Sequence, residues 1–246
     1  MNVSKENKGN TVGELNKTVQ ISSEKNNRFS VKKPLWSDKA RAFVDDLIEK
    51  IKGSKFIRGL LTGTLPLQYF NEYVNQDIIY CEEYEISLGI LSERLKYYNK
   101  EYSEIFLRHS NSTKKYPKYF DDEYIIPFGL KKSSLRNDTC DKYIQFEREN
   151  VVAGTLPDAL CACLACFWVY KEIGRYMYEN KPEKNKEIYS KFIDDNSGHK
   201  IEKLEKYLCI VNEIAEKYPE MNEHMLDVYR KAVQFEYEFW ESCCEK

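Results

Sequence analysis

Aromatic and apolar residues recur at helical spacing through residues 56–84, and a carboxylate sits in their midst. Phe70, Tyr73, Asp77, Tyr80, Cys81 and Tyr84 follow the i, i+3/i+4, i+7 rhythm of one helical face. An acid on such a stripe needs a partner. Asp77 is therefore either paired inside a core or lining a site, and the two alternatives imply different proteins.

The rest of the chain also reads as helix. Glycine and proline are scarce, 10 and 7 in 246 residues, and no long alternating strand pattern appears. Ser37 is expected to cap a helix over 38–52. Thr64 is expected to cap the next, with Pro66 in its first turn, and that helix should run to about residue 100. The stretch 110–138 holds Pro117, Pro127, Gly129 and the basic pair Lys131-Lys132, which predicts short helices and loops. A helix over 139–150 follows. Gly154-Thr155-Leu156-Pro157 then repeats the earlier Gly63-Thr64-Leu65-Pro66 and opens a helix to about residue 180. The repeat reads as one capping solution used twice. Further helices fit 182–194, 200–217 and 220–244. The polar residues 1–33 read as a flexible extension, and 34–246 as one helical domain.

Bulk properties exclude some classes of function. With 38 basic and 40 acidic residues the net charge is -2, so no overall basic field attracts nucleic acid. The longest apolar run, 159–170, falls short of the roughly 20 residues that span a membrane. The first 30 residues lack the apolar core of a secretory signal. Eight cysteines in that setting read as reduced thiols of a cytoplasmic protein.

Three segments each hold one reactive group among aromatics: Asp77 with Tyr80 and Tyr84, Cys166 with Tyr170, and Glu236 with Phe239 and Trp240. A thiolate is a strong nucleophile, and a buried acid with a raised pKa can move protons near neutral pH. Aromatic walls suit a flat heterocycle. Each feature also has a plain reading. Free cysteine usually just packs, buried acids usually pair, and aromatic stripes are more often core than pocket. The residues alone leave this open. A metal is not expected. On a helix of about 3.6 residues per turn Cys161 and Cys163 point roughly 200° apart, so they do not converge with Cys166. His109, His199 and His224 lack metal spacing. Neither a phosphate-cradling glycine loop nor a serine nucleophile elbow is present.

Taken together and in order, residues 56–80, 159–174 and 235–240 resemble the TenA family, the thiaminase II group, and the likeness covers about 37–246. It implies an all-α fold, a helical bundle like haem oxygenase, usually a homotetramer. It implies hydrolysis at the methylene carbon of an aminopyrimidine without a cofactor. Thiamin is one such substrate; 4-amino-5-aminomethyl-2-methylpyrimidine, a thiamin breakdown product, is the better-supported one. By position, the resemblance makes Cys166 the nucleophile, Glu236 the general acid/base, and Asp77 the acid that holds the ring nitrogen and amino group. Tyr80, Tyr84, Tyr143, Tyr170 and Phe239 would form the aromatic pocket. Cys166 puts the chain with the cysteine-containing type. Two positions depart from the family: Asn196 stands where a pocket tyrosine is expected, and Ala165 where proline often precedes the cysteine. Two other classes follow from the same residues. One is a binding or regulatory protein that holds a pyrimidine without turning it over. The other is a haem- or quinone-handling relative, which would need an early ligand histidine, and 37–61 contains none.

Overall fold

Where each helix begins and ends follows from a few capping residues. The computed structural model describes residues 34–198 and 202–244. Helix α1 (Trp36–Phe43) starts earlier than the sequence suggests. Asp38 reaches back to the Leu35 amide at 2.9 Å and closes the first turn. Ser37 does not cap; it lies inside the helix, bonded through amide and hydroxyl to Asn212. Val44 then breaks the expected single helix, and α2 (Asp45–Lys52) follows. A short helix, α3 (Lys55–Thr62), is capped by Ser54 and ends at Gly63, whose φ of 69° suits a residue without Cβ.

The two Gly-Thr-Leu-Pro segments fold differently. At the second, Thr155 caps α9 (Leu156–Glu179) in a capping box with Asp158. At the first, the residue three beyond Thr64 is Leu67, which has no oxygen to return the bond. There Pro66 is the N-cap of α4 (Leu67–Lys96). Thr64 bonds to Thr62 instead. Helix α4 spans 30 residues, about 45 Å at 1.5 Å per residue. It stops short of residue 100, because Asn99 caps a further helix, α5 (Lys100–Thr113), which turns back along it.

The 110–138 stretch divides into α6 (Tyr116–Phe120), a π-helical turn (Asp121–Ile125) and α7 (Ile126–Phe128), ending in an extended loop. Then come α8 (Asp138–Val152), α9, α10 (Glu187–Asp195), α11 (Glu202–Lys217) and α12 (Asn222–Ser242). There is no strand among the described residues, and the expected all-α fold is what they form. The expected extension 1–33, the start of the 200–217 helix and His199 lie outside the described residues.

Helices α4 and α9 form the centre. Helix α9 packs against α12, α8, α11 and α4, while α4 packs against α5, α8 and α6. The first two turns of α9 are apolar almost all round, and 159–165 are fully buried, as such a helix must be. Gly174 lets α9 approach the turn after α10: a Cβ there would meet the Asn196 carbonyl at 1.7 Å. No helix among the described residues is long and apolar enough to cross a membrane.

Candidate active site

A cavity of about 710 Å³ opens between α4, α5, α9 and the 116–124 segment. Asp77, Cys81 and Tyr84 reach it from α4, and Cys166 and Tyr170 from α9. The helical rhythm explains this: 77, 81 and 84 are neighbours on one face, as are 166 and 170.

Asp77 is 6% exposed. Tyr170 places its hydroxyl 3.3 Å from Asp77 Oδ1 and 3.0 Å from the Tyr73 hydroxyl. Burial pushes the Asp77 carboxyl up to about 7, against the pull of those two hydroxyls. Cys166 is half-buried and faces the cavity. Burial, then the carboxyl of Glu236, pushes its thiol well above the ordinary range. The Cys166 thiol therefore keeps its proton near neutral pH.

Four of the expected site residues do not line the cavity. Glu236, Tyr143, Tyr80 and Phe239 form a packed layer behind it, each 3% exposed or less. Tyr143 donates to Glu236 Oε1 at 2.7 Å, and burial raises that carboxyl to about 8. Tyr80 stacks on Tyr143 with centroids 4.8 Å apart and on Tyr84 at 5.6 Å. Phe239 meets Tyr73 and Tyr80 edge-on. Tyr84 donates to the Cys163 carbonyl at 2.8 Å. Thus Asp77, Cys166, Tyr170 and Tyr84 contact the open space, and Glu236 acts on Cys166 from the layer next to it.

Several residues near the site escaped the sequence reading. Tyr116, Tyr119 and Tyr124 wall the cavity from the segment that reads as irregular. Asp195 fastens that segment to α10, accepting from Tyr119 at 2.6 Å and from Tyr124 at 2.5 Å. Asn196, which the sequence already set at an expected pocket position, lines the cavity beside it, and its side chain bonds back to the Phe192 carbonyl. His109 packs edge-on against Tyr84 and Phe167. Burial, with Lys203 and Lys171 nearby, lowers it to about 4, so its ring is neutral at pH 7. Glu147, 2% exposed, accepts from Tyr80 at 2.7 Å. The signal in the sequence was faint: Tyr116, Tyr119, Phe120 and Tyr124 keep a helical spacing, but only over nine residues, in a stretch that Pro117 and Pro127 mark as irregular. Among the described residues no group of histidine, cysteine and acid side chains is arranged to hold a metal.

The profile of the TENA/THI-4/PQQC family matches residues 43–246. The aminopyrimidine aminohydrolase of Bacillus subtilis (strain 168) is 25% identical over 193 residues, which cover 75% of this chain and 79% of that protein. A TenA homologue from Pyrococcus furiosus has the same fold at 17% identity, with a TM-score of 0.78 over 85% of this chain and all of that one. A TenA family transcription regulator from a Silicibacter species gives 0.72 at 18% identity, over 86% of this chain and 97% of that one.

Proposed function

The chain belongs to the TENA/THI-4/PQQC family, and from that premise we propose that it is a hydrolase of thiamin salvage. It converts 4-amino-5-aminomethyl-2-methylpyrimidine to 4-amino-5-hydroxymethyl-2-methylpyrimidine and ammonia, and cleaves thiamin at the same methylene carbon as a related activity. The observation that carries this reading is a cysteine and a near-neutral carboxyl, Cys166 and Asp77, facing one aromatic cavity. The size of the cavity supports it too, since small-molecule sites run from about 300 to 1,000 Å³.

The steps follow from the proton positions. Asp77 takes the exocyclic amino group and a ring nitrogen of the pyrimidine, and the tyrosines fix the ring plane. Glu236, protonated at neutral pH, gives its proton to the ring, which makes the ring electrophilic. The carboxylate left behind takes the proton from Cys166, and the sulfur adds to a ring carbon. The displaced electron pair expels ammonia from the ammonium form of the aminomethyl group, or the neutral thiazole from the thiazolium of thiamin, at the methylene carbon. Water adds there and passes its proton to the released amine or to solvent; the ring then gives its added proton to the departing sulfur of Cys166 and regains its aromatic electrons. Glu236 stands one packed layer from the cavity, so this step requires a path for the proton through Tyr143, its hydrogen-bond donor.

The same reading makes 34–246 the catalytic domain, with 1–33 an extension to it, in a homotetramer of the cytoplasm. Sedimentation of the purified protein checks the assembly. A second reading, a pyrimidine-binding or regulatory protein without turnover, draws on Asn196 at the cavity wall. Product formation from the aminomethylpyrimidine and from thiamin, with wild type and Cys166→Ala in parallel, separates the two. The hydrolase predicts turnover by the wild type that the variant all but loses. A folded wild type that binds the pyrimidine and releases no product would replace it with the binding protein.

A further inference from the structure

Glu147 is a buried acid that neither the cavity nor the steps above use. Its hydrogen bonds come from hydroxyls, those of Tyr80 at 2.7 Å and Ser87. Tyr80 lies face to face with Tyr143, at 4.8 Å and an interplanar angle of 25°. Tyr143 donates to Glu236 at 2.7 Å. Two tyrosine–glutamate pairs therefore stand side by side, built from α4, α8 and α12, and the two hydroxyls interact with one another.

Resting on the hydrolase reading, we propose that Glu147 is a positioning residue for Glu236: its carboxylate, held by Tyr80, keeps Glu236 in the protonated form that the pyrimidine needs.

Two carboxyls in one dry layer resist ionising together, and the first charge goes where it is better solvated. Glu147 has two hydroxyl donors, Ser87 and Tyr80, with the field of Glu83 set against that of Arg148. Glu236 has one donor, Tyr143, and faces both Asp77 and Glu147. The charge thus falls first on Glu147, and its field then raises Glu236 further. The groups around the pair from α4 are Asp77, Cys81, Glu83 and Tyr84. Cys163, Cys166 and Tyr170 face it from α9, and Tyr207 from α11. Burial pushes all these thiols and phenols up, so near pH 7 they stay neutral. Of the charged ones, Glu83 is paired with Arg136 and Arg148. That leaves Asp77 and Glu147 as the acids that bear on Glu236.

The test is the pH profile of kcat/KM for wild type, Glu147→Gln and Glu147→Asp. Glutamine keeps an acceptor for Tyr80 and removes the charge. Glu236 then ionises more readily, and the alkaline limb moves down by about one pH unit, lowering kcat/KM about tenfold above the limb and little at pH 6. Aspartate keeps the charge and draws back from Tyr80, so its limb stays near that of wild type. A Glu147→Gln profile lowered evenly, with the limb unmoved, overturns the proposal. Isotope-edited infrared titration of the glutamate carboxyls supplies a second readout, independent of turnover and available from the wild type alone. Two separated steps near neutrality support the proposal; both carboxyls ionising together well below neutrality overturn it. An inactive wild type would sink the hydrolase reading, while the infrared titration would still decide the relation between Glu147 and Glu236.

Discussion

Tyr170 reaches from α9 to set its hydroxyl 3.3 Å from Asp77 Oδ1 on α4, bridging the two central helices at the cavity wall. The bond favours the ionised acid and opposes the burial that raises it. Tyr170→Phe removes it. It also breaks the bond to the buried Tyr73 hydroxyl, which costs the same at every pH, so stability should drop at both pH 6 and pH 8.5 and by about 1 kcal/mol more at pH 8.5. Urea midpoints at the two pH values check this. An equal loss at both would mean that the hydroxyl acts through packing and not through the carboxylate.

Three buried carboxyls should make the fold less stable as pH rises. Asp77, Glu147 and Glu236 sit near 7, 7 and 8 when folded, well above the ordinary carboxylate range. Between the unfolded and folded values the folded chain binds more protons, so stability is greatest at low pH and is lost as pH rises to the folded values. Each group contributes at most about 1.4 kcal/mol per pH unit. His109 works the other way: lowered to about 4, it favours folding as pH rises to its ordinary value of 6.5. Stability should therefore decline across pH 5 to 8, with His109 offsetting part of the loss below pH 6.5. Denaturant titrations at pH 5, 6.5 and 8 measure it, and stability that rises across that range would contradict these positions.

Asp195 anchors the aromatic wall of the cavity. Asp195→Ala leaves the buried Tyr124 hydroxyl without its acceptor and also removes one partner of Lys191. A lost buried partner costs about 1–3 kcal/mol. Amide exchange should quicken across 116–128 while α4 and α9 keep their protection. Exchange that rises equally in α9 would show that the wall and the bundle unfold as one unit.

Gly174 is required by contact. The Asn196 carbonyl lies 1.7 Å from where a Cβ would sit, so Gly174→Ala must push the turn after α10 away from α9. Overpacking of this kind costs about 1–3 kcal/mol. Thermal melts should show the loss, and pyrimidine binding should weaken with it because Asn196 lines the cavity. A variant as stable as wild type would mean that the turn yields freely.

Much of the site was legible because a helix repeats locally. The spacing of Asp77, Cys81 and Tyr84, and of Cys166 and Tyr170, set their shared faces ahead of any tertiary contact. Thr155 with Asp158 was legible for the same reason, whereas Thr64 looked identical and lost its role to one absent acid three residues on.

Tertiary packing settled the remainder. Glu147 stands in sequence beside the charged Arg148 and Glu149, yet it is buried because α4 covers that face with Tyr80. Glu236 and Asp77 look alike in sequence, each an acid among aromatics. Asp77 faces open space and Glu236 lies in the packed layer behind it. Periodicity assigns a residue to a face of its own helix, and so the sequence determined the helices and their reactive faces. Whether a face meets another helix or a cavity depends on segments far away in the chain, such as 116–124 held by Asp195, and only the folded arrangement decides that.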